Sequence, residues 1–578
     1  MRIGMLTEGG PPCAPGESGL WCDRLVRGLA QHEFDVYTMS RSAAREEPAA
    51  PALPPHVRLA RTAPLWAPAD DGVSLGRRER RRFAQHFATM ARGVCAGGDG
   101  FADGLHGLAD LARDHGGLPA ALRSEVALRA LESACRAPGA HRALQAVTVP
   151  DLLEAADRLE RALRPLSFDW YEDDGLASAD LCHAASGGPA ALAGLLAKRF
   201  CGVPLLVTEY GVHLRGRYLE GREDGLSAPV RALLGAFHGL LAREIYAGAD
   251  VITPGNTHAR RWQEQCGADR AKLRTVYPGM AADGFAAVGE SGDTEGAGAG
   301  GDGHTLVWVG RVEPAKDLVG LLHAFAEIRK EEPGARLRLF TAPARDEESA
   351  GHLAHCRALA AQLFPDEAAD AHAVGDSPVS FDEIGGPEAP APADAYAAGG
   401  LVVLSSVVEG FPLSLVEAMF CGRATVSTDV GAVVEVIGGT GLVVPPRNPR
   451  ALADACLALL RDPERRARLG AAARARALEL FTVEQNLAAF RGIYLELISH
   501  SPVRRATETV DADGGPVPFA HPAESHVAGR LTGAAHVPRW AAEAASGPLT
   551  GAGTPDTAGT RDIAHTADTT DTAREVRR

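Results

Sequence analysis

The sequence predicts an α/β protein built as two parallel-sheet halves in series, and three observations predict it. The chain opens with a strand, a Gly/Pro-rich loop, a helix and a second strand within residues 3–39, the start of a parallel sheet. The same alternation begins afresh at Thr305. Between the halves, residues 287–304 are almost entirely Gly, Asp, Glu, Ala, Ser and Thr, which cannot bury a core and read as a flexible linker or loop. A chain of 578 residues accommodates two or three domains at roughly 100–200 residues each.

Each element follows from its local pattern. Residues 3–7 form an apolar run, the first strand, and the loop 8–19 follows it. Trp21, Leu25, Val26 and Leu29 recur at helical spacing, and residues 35–39 read as the second strand. Residues 40–75 are Pro-rich and read as irregular. From about 77 to 165 the chain is rich in Ala, Leu and Arg, a helical insertion broken near 97–100 and 116–119. Strands at 181–184, 204–208, 250–253 and 272–276 alternate with helices near 190–200 and 228–247, completing a first domain over 1–286. The second domain covers 305–499. Residues 306–309, 336–340, 401–405 and 425–428 are its strands, and 413–420 is a helix. Leu318, Leu321, Leu322, Phe325 and Ile328 line one helix face, closed by Pro333-Gly334. Asn448-Pro449 is a helix N-cap followed by proline at the first helical position. Residues 341–395 carry no clear pattern. Helices run to about 499, the last a candidate to cross back to the first domain. Residues 501–578 are poor in large apolar side chains and are expected to be disordered.

Composition excludes several functions. A net charge of −15 argues against nucleic acid or an anionic membrane surface as the main partner. The basic run Arg77, Arg78, Arg80, Arg81, Arg82 stands alone and reads as a solvated helix face. The first residues turn polar too soon for a signal peptide, and no stretch reaches the ~18 uncharged apolar residues of a membrane span. Ten scattered cysteines without CxxC pairs read as reduced thiols in the cytoplasm. His352, His355 and Cys356 lie within about one helical turn but lack a second ligand cluster, so no metal site is expected. Asp511-Ala512-Asp513 falls in the tail, a poor place for a metal-binding pair.

Ligands of open α/β sheets bind outside the carboxyl ends of the strands. The loop Gly310-Arg311-Val312-Glu313-Pro314-Ala315-Lys316 follows a strand and leads into a helix. Arg311 and Lys316 therefore stand where a pyrophosphate would sit, the one a planar fork and the other a point charge. Taken alone, the loop reads equally as two surface cations near a helix start. In the stretch from Ser406 to Ala418, Glu409 occupies the turn after a buried strand, Gly410 and Pro412 shape that turn, and a helix begins near Leu413. Glu417 lies one to two turns along it. Carboxylates in a site for an anionic diphosphate point to contacts with ribose and hexose hydroxyls.

In combination, Gly310-Arg311 with Lys316, Glu409-Gly410-Phe411-Pro412 with Glu417-Ala418 and Cys421-Gly422, and Ser427-Thr428-Asp429-Val430-Gly431 with Glu435 resemble glycosyltransferase family 4. Thr7-Glu8-Gly9 with a loop ending in Trp21, Pro64-Leu65-Trp66 and Thr208-Glu209-Tyr210-Gly211 are similar to the branch containing the Pel exopolysaccharide glycosyltransferase. The resemblance covers most of residues 1–499 apart from the linker and parts of 40–165 and 341–395. It implies two Rossmann-like domains facing across a cleft, the GT-B arrangement. It also implies retaining, metal-independent transfer of a hexose from a nucleotide sugar such as UDP-glucose to a polysaccharide or glycoconjugate, with no cofactor. By the same resemblance Arg311 and Lys316 stabilise the leaving diphosphate, Glu409 holds donor-sugar hydroxyls and Glu417 binds the ribose. Gly310 and the backbone around Gly410, Phe411, Pro412 and Leu413 line the donor site, and Gly9 and Gly10 bring the first domain against it.

Two departures concern the acceptor side. Gly16-Glu17 replaces adjacent glycines, and Tyr210 stands where relatives tend to carry His. His213 is a nearby replacement or a plain turn residue; His183 faces the cleft or is a buried structural histidine. Glu17, His183, Tyr210 and His213 are thus the acceptor-side or donor-sugar candidates. The implied partners are a nucleotide sugar, a carbohydrate acceptor and a membrane polysaccharide-assembly complex. An epimerase or phosphorylase of the same fold is the first alternative, although no lysine is placed to hold pyridoxal phosphate. A non-catalytic sugar-nucleotide sensor or scaffold is the second; Glu17 and Tyr210 favour it, and Arg311, Lys316, Glu409 and Glu417 oppose it.

Overall fold

The computed structural model describes residues 1–9, 17–40, 53–66, 71–98, 100–220, 225–291, 302–343, 347–365 and 377–501. Two six-stranded sheets organise them. The first contains β1 (Arg2–Glu8), β2 (Glu33–Ser40), β3 (Val57–Pro64), β4 (Leu181–Ala184), β5 (Leu205–Glu209) and β6 (Val251–Pro254), in the order β3-β2-β1-β4-β5-β6. The second contains β7 (Asp302–Gly310), β8 (Arg336–Thr341), β9 (Val379–Glu383), β10 (Gly399–Leu404), β11 (Ala424–Thr428) and β12 (Leu442–Val444), in the order β12-β11-β10-β7-β8-β9. Strand pairing is parallel throughout both. The two windings are the same, each a doubly wound sheet whose strand order reverses beside its first strand. Those reversals, at β1/β4 and β7/β10, are where such sheets leave a crevice for ligands.

The central strands are continuous apolar runs because helices cover both of their faces. Ile3, Met5, Leu6, Leu306, Val307 and Trp308 are fully buried. β3 is different. Its residues alternate between half-buried and exposed, with Arg58 paired to Asp35, as suits a sheet edge. Its charged side chains hide the strand in a stretch expected to be irregular. β9 and β12 likewise emerge where no pattern was legible. Residues 272–276 form no strand; beyond the short turn Arg270–Lys272 there is one isolated bridge, Ile252 to Leu273.

The insertion is helical as expected. Its first helix, Arg77–Ala96, buries Phe83, Phe87, Met90 and Val94 on one face and stops at Gly97. Helices Gly100–His115, Glu125–Cys135 and Val149–Ala162 join it in a core continuous with Leu6, Tyr37 and Met39 of the first sheet. Arg77, Arg78, Arg80 and Arg81 are exposed at the start of the first helix.

The expected linker is shorter than its composition suggests. Helix Asp283–Ser291 takes its first residues, anchored by Phe285 stacking on Phe420 at 6.2 Å, and β7 takes its last three. The tail beyond 501, with Asp511 and Asp513, lies outside the described residues. The final helix, Val483–His500, crosses to the first domain. Phe490, Ile493, Tyr494, Leu497 and Ile498 pack among Ile3, Met5, Trp21, Leu25 and Val26. Each such buried side chain contributes about 1.5–3 kcal/mol. The outgoing and returning crossovers run side by side: the Met280 amide donates to the Phe481 carbonyl (2.9 Å), and the Val483 amide to that of Met280 (3.2 Å). No described helix is long and apolar enough to cross a membrane. Cys356 is buried with His352 Nε2 at 3.9 Å, and among the described residues no three His, Cys, Asp or Glu side chains converge on a metal position.

Candidate functional site

The switch point of the second sheet is built by the loops after β7 and β10. Trp308, fully buried, passes beneath the end of β7, where a Cβ on Gly310 would lie 3.1 Å from its ring. The chain then makes the short turn Pro314–Lys316 and enters helix Leu318–Glu331 through Asp317, held at φ 48° while its carboxylate caps the Gly320 amide at 3.0 Å. The two loops are tied together. Ser405 Oγ donates to the Lys316 carbonyl (2.7 Å), and the Val407 amide to the carbonyl of Ala315 (2.8 Å).

This framework brings Lys316 and Glu409, 93 positions apart, into contact: Nζ donates to Oε2 at 2.6 Å. Ser406 Oγ donates to the same oxygen at 3.0 Å. The side chains are only 19% and 12% exposed, so the pair is partly desolvated and each ion depends on the other. Arg311 stands further out, 48% exposed, with Nη1 3.8 Å from Glu313. The turn carrying Glu409 is braced from behind. Gly431 lies against it at φ 56°, and the Ala432 amide donates to the Gly410 carbonyl at 3.0 Å. Phe411 packs edge-on to Phe481 at 5.7 Å, so its side chain ties the turn to the crossover. The Leu413 amide closes the turn on the Phe411 carbonyl, and Pro412 starts helix Leu413–Phe420. Glu417, on that helix, accepts from the Tyr396 hydroxyl at 2.6 Å. Burial raises the Glu417 pKa, the tyrosine opposing it in part. Lys316, Glu409 and their loops thus form one unit, and Glu417 is held separately by Tyr396.

The first-domain candidates cluster at the carboxyl edge of the other sheet. The Gly9 amide donates to the Met39 carbonyl at 2.8 Å. Gly10 and the Glu17 side chain lie outside the described residues. Glu209 is a buried hub: it accepts from the amides of Gly187 (3.1 Å) and His213 (3.0 Å), from Tyr246 (2.5 Å) and from Gln263 (3.0 Å). Tyr210 faces the last helix, its hydroxyl accepting from Asn486 at 2.9 Å and its ring edge-on to Trp21 at 5.1 Å. His213 lies against Gly188 and 5.9 Å from the His238 ring, with Nε2 buried and unpartnered. His183 does not face a cleft. It is fully buried, bonded to Tyr494 and Thr208 at 2.7 Å each, and burial lowers its pKa to about 3. It fastens the last helix to β4, and the structural reading replaces the acceptor-side one.

One supporting residue, Tyr396, escaped sequence reasoning, because nothing local marks it as the partner of Glu417. Glu209 and Glu435 stand in the motifs named above, but the contacts that make them supports reach residues distant in the chain. Glu435 accepts from the Thr257 amide (2.7 Å) and the Tyr277 hydroxyl (2.9 Å), bridging the second domain to the first. Its carboxylate sits at the positive end of helix Thr257–Gln265.

Comparison with known proteins places both halves. Residues 1–271 match a family model described as a domain of unknown function, DUF3492, and residues 303–462 match one described as glycosyl transferases group 1. A D-inositol 3-phosphate glycosyltransferase of Kineococcus radiotolerans is 32% identical over 248 residues, 41% of this chain and 54% of that protein. Its counterpart in Kribbella flavida is 28% identical over 308 residues, 52% and 68% of the respective chains. The chain spans about half the length of the first of these relatives. Among solved structures, sucrose-phosphate synthase from Thermosynechococcus elongatus is similar with a TM-score of 0.51 and 17% identity, covering 86% of this chain and 99% of that one. Anabaena Alr3699/HepE in complex with UDP has a TM-score of 0.50 and 13% identity, covering 86% and 100%. These likenesses show a shared two-domain GT-B fold.

Proposed function

We propose, for a chain that is glycosyltransferase-like in its second-half domain and in its GT-B fold, retaining, metal-independent transfer of a hexose from a UDP-sugar to a polysaccharide or glycoconjugate acceptor. The observation that carries the reading is the Lys316–Glu409 pair at the β7/β10 switch point. Without ligand, the carboxylate neutralises the ammonium. A diphosphate arriving at the loop after β7 competes for Lys316 and frees Glu409 to accept hydroxyls of the donor sugar. As the anomeric C–O bond to the phosphate breaks, negative charge grows on the leaving oxygen. Lys316, and Arg311 at the rim, stabilise that charge in a partly desolvated place where such contacts are strongest. Glu417, oriented by Tyr396, is suited to the ribose hydroxyls. UDP as the nucleotide draws support from the Anabaena protein of the same fold, whose structure holds UDP. The first-domain motifs that resemble the Pel branch favour a polysaccharide acceptor within an assembly complex.

The test measures nucleotide release and thermal shift with UDP-, GDP- and ADP-sugars for the parent and Lys316→Ala. The expected result is stabilisation of the parent by a UDP-sugar and a loss of about a hundredfold or more in turnover by the variant. Equal turnover by a folded Lys316→Ala overturns the assignment. Stabilisation of the parent without transfer to any acceptor favours a binding component.

A further inference from the structure

Tyr277 lies on the outgoing crossover, just before Met280, whose amide pairs it with the returning one. Its carbonyl accepts from Asn486 Nδ2 at 2.7 Å, and its hydroxyl donates to Glu435 Oε1 at 2.9 Å. Its ring is edge-on to Phe481 of the returning crossover at 5.1 Å, and 6.4 Å from Phe411 in the turn that carries Glu409. The crossover presses on the last helix at Gly279, where an added Cβ would lie 2.7 Å from that of Asn486.

Asn486, buried on the last helix, carries the contact into the first domain. Its Nδ2 also donates to the Tyr210 hydroxyl at 2.9 Å, and its Oδ1 accepts from Trp21 Nε1 at 3.3 Å. A carbonyl only accepts and an indole N–H only donates, so these neighbours fix the orientation of the amide. On the other side, Glu435 carries the contact into the second domain. Its Oε2 accepts from the Thr257 amide of the first domain, while its helix, Val433–Ile437, is held by Arg476, which donates to the Glu435 and Val436 carbonyls at 2.8 and 2.9 Å. At the start of the same helix the Ala432 amide holds the Gly410 carbonyl, next to Glu409. The short helix is therefore a lever between the first domain and the donor turn. Burial, and then Glu435, push the Tyr277 hydroxyl up to about 12, so it keeps the proton it donates across the neutral range.

We propose that Tyr277 is a positioning residue for the candidate donor site: it couples the first domain and the last helix, through Glu435 and helix Val433–Ile437, to the turn that carries Glu409. Loss of its hydroxyl frees the Glu435 side chain, loosens the lever and lets the turn drift from its place at Lys316. A drift of ~1 Å at such a group costs on the order of a hundredfold in rate; the ring contact with Phe411, which a phenylalanine keeps, limits the loss. Arg311, Lys316 and Glu417 all belong to the second domain, so nucleotide binding does not depend on this coupling. The proposal rests on the glycosyl-transfer reading for its purpose, but its exchange measurement stands without that reading.

Tyr277→Phe keeps the ring and removes the hydroxyl. Tyr171→Phe is the matched control, removing a hydroxyl that donates to the Pro165 carbonyl at 2.6 Å within the first domain. Hydrogen exchange at residues 432–437, kcat and donor KM with a UDP-sugar, and UDP affinity are measured for both. In Tyr277→Phe the amides of 432–437 are expected to exchange about tenfold faster and kcat to fall about tenfold, the weight of one hydrogen bond to a charged group. Donor KM and UDP affinity are expected to stay within about threefold of the parent, and Tyr171→Phe to match the parent throughout. Tyr277→Phe/Glu435→Gln is expected to lose less kcat than the product of the two single losses, because the two changes remove one shared bond. Parent-like exchange or kcat in Tyr277→Phe, equal losses in Tyr171→Phe, a loss confined to KM, or a fully multiplicative double variant overturns the proposal. If no UDP-, GDP- or ADP-sugar gives turnover with the parent, the transferase reading falls, and faster or unchanged exchange in Tyr277→Phe alone upholds or overturns the coupling.

Discussion

Gly431→Ala is the most informative single change at the candidate donor site. Gly431 sits at φ 56°, and an added Cβ would lie 2.5 Å from the Glu409 carbonyl oxygen and 2.7 Å from that of Gly410. Ordinary van der Waals contact begins near 3.4 Å, so the Glu409–Gly410 backbone must retreat by close to an ångström. Left-handed backbone costs alanine about 1–2 kcal/mol. Overpacking adds about 1–3 kcal/mol. A displacement of ~1 Å at a catalytic group costs on the order of a hundredfold in rate. Gly439→Ala is the matched control: it too has positive φ, 87°, but nothing lies within 4 Å of its added Cβ. It pays the backbone term alone. The assay is nucleotide release from a saturating UDP-sugar, with thermal melting in parallel at about 2–4 °C per kcal/mol for a domain of this size. Gly431→Ala is expected to lose about a hundredfold in kcat, and Gly439→Ala to melt slightly early with kcat intact. A folded Gly431→Ala within threefold of the parent would show that the position of Glu409 does not govern the reaction.

Other consequences follow from the same contacts. Tyr396→Phe removes the hydroxyl that Glu417 accepts from; it is expected to raise the donor KM about tenfold, from ~1.5 kcal/mol for a bond to a charged group, with kcat little changed. A fall in kcat with unchanged KM would argue against ribose binding by Glu417. The His183 pKa, about 3 when folded against 6.5 ordinarily, means the fold requires the neutral ring. Its contribution is therefore whole above pH 6.5 and is lost as pH falls toward 3, at about 1.4 kcal/mol per pH unit. Urea midpoints at pH 7 and 5.5 should differ less in His183→Gln than in the parent, and an identical fall in both would remove His183 from the acid response.

Legibility from sequence tracked how locally each feature is encoded. β1, β7, β10 and β11 are buried on both faces, so their apolar runs stand out. β3, with Arg58 and Arg61 on an edge, and β9, Val379–Glu383, with Ser380, Asp382 and Glu383, have no such run, and their identity comes from the neighbouring strand. β12 has only three residues. At the site, the loops after β7 and β10 were readable because a turn, its glycine and its charges are adjacent in sequence. The Lys316–Glu409 contact, the Tyr396–Glu417 bond and the Glu209 hub join distant positions, and no local pattern encodes them. His183 could be placed on a strand, but which face that strand buries depends on the last helix, more than three hundred positions away.

That last helix sets an order of events in synthesis. The first sheet cannot finish its core until Phe490, Ile493, Tyr494, Leu497 and Ile498 arrive. More than two hundred residues separate the end of β6 from them, which at ~5–20 residues per second is on the order of ten to forty seconds of translation. For that interval the face of the nascent domain bearing Ile3, Met5, Trp21 and Leu25 stays uncovered. The half made first is thus the half completed last, and the emerging chain presents an apolar surface that chaperones or premature self-association can engage before the protein seals itself.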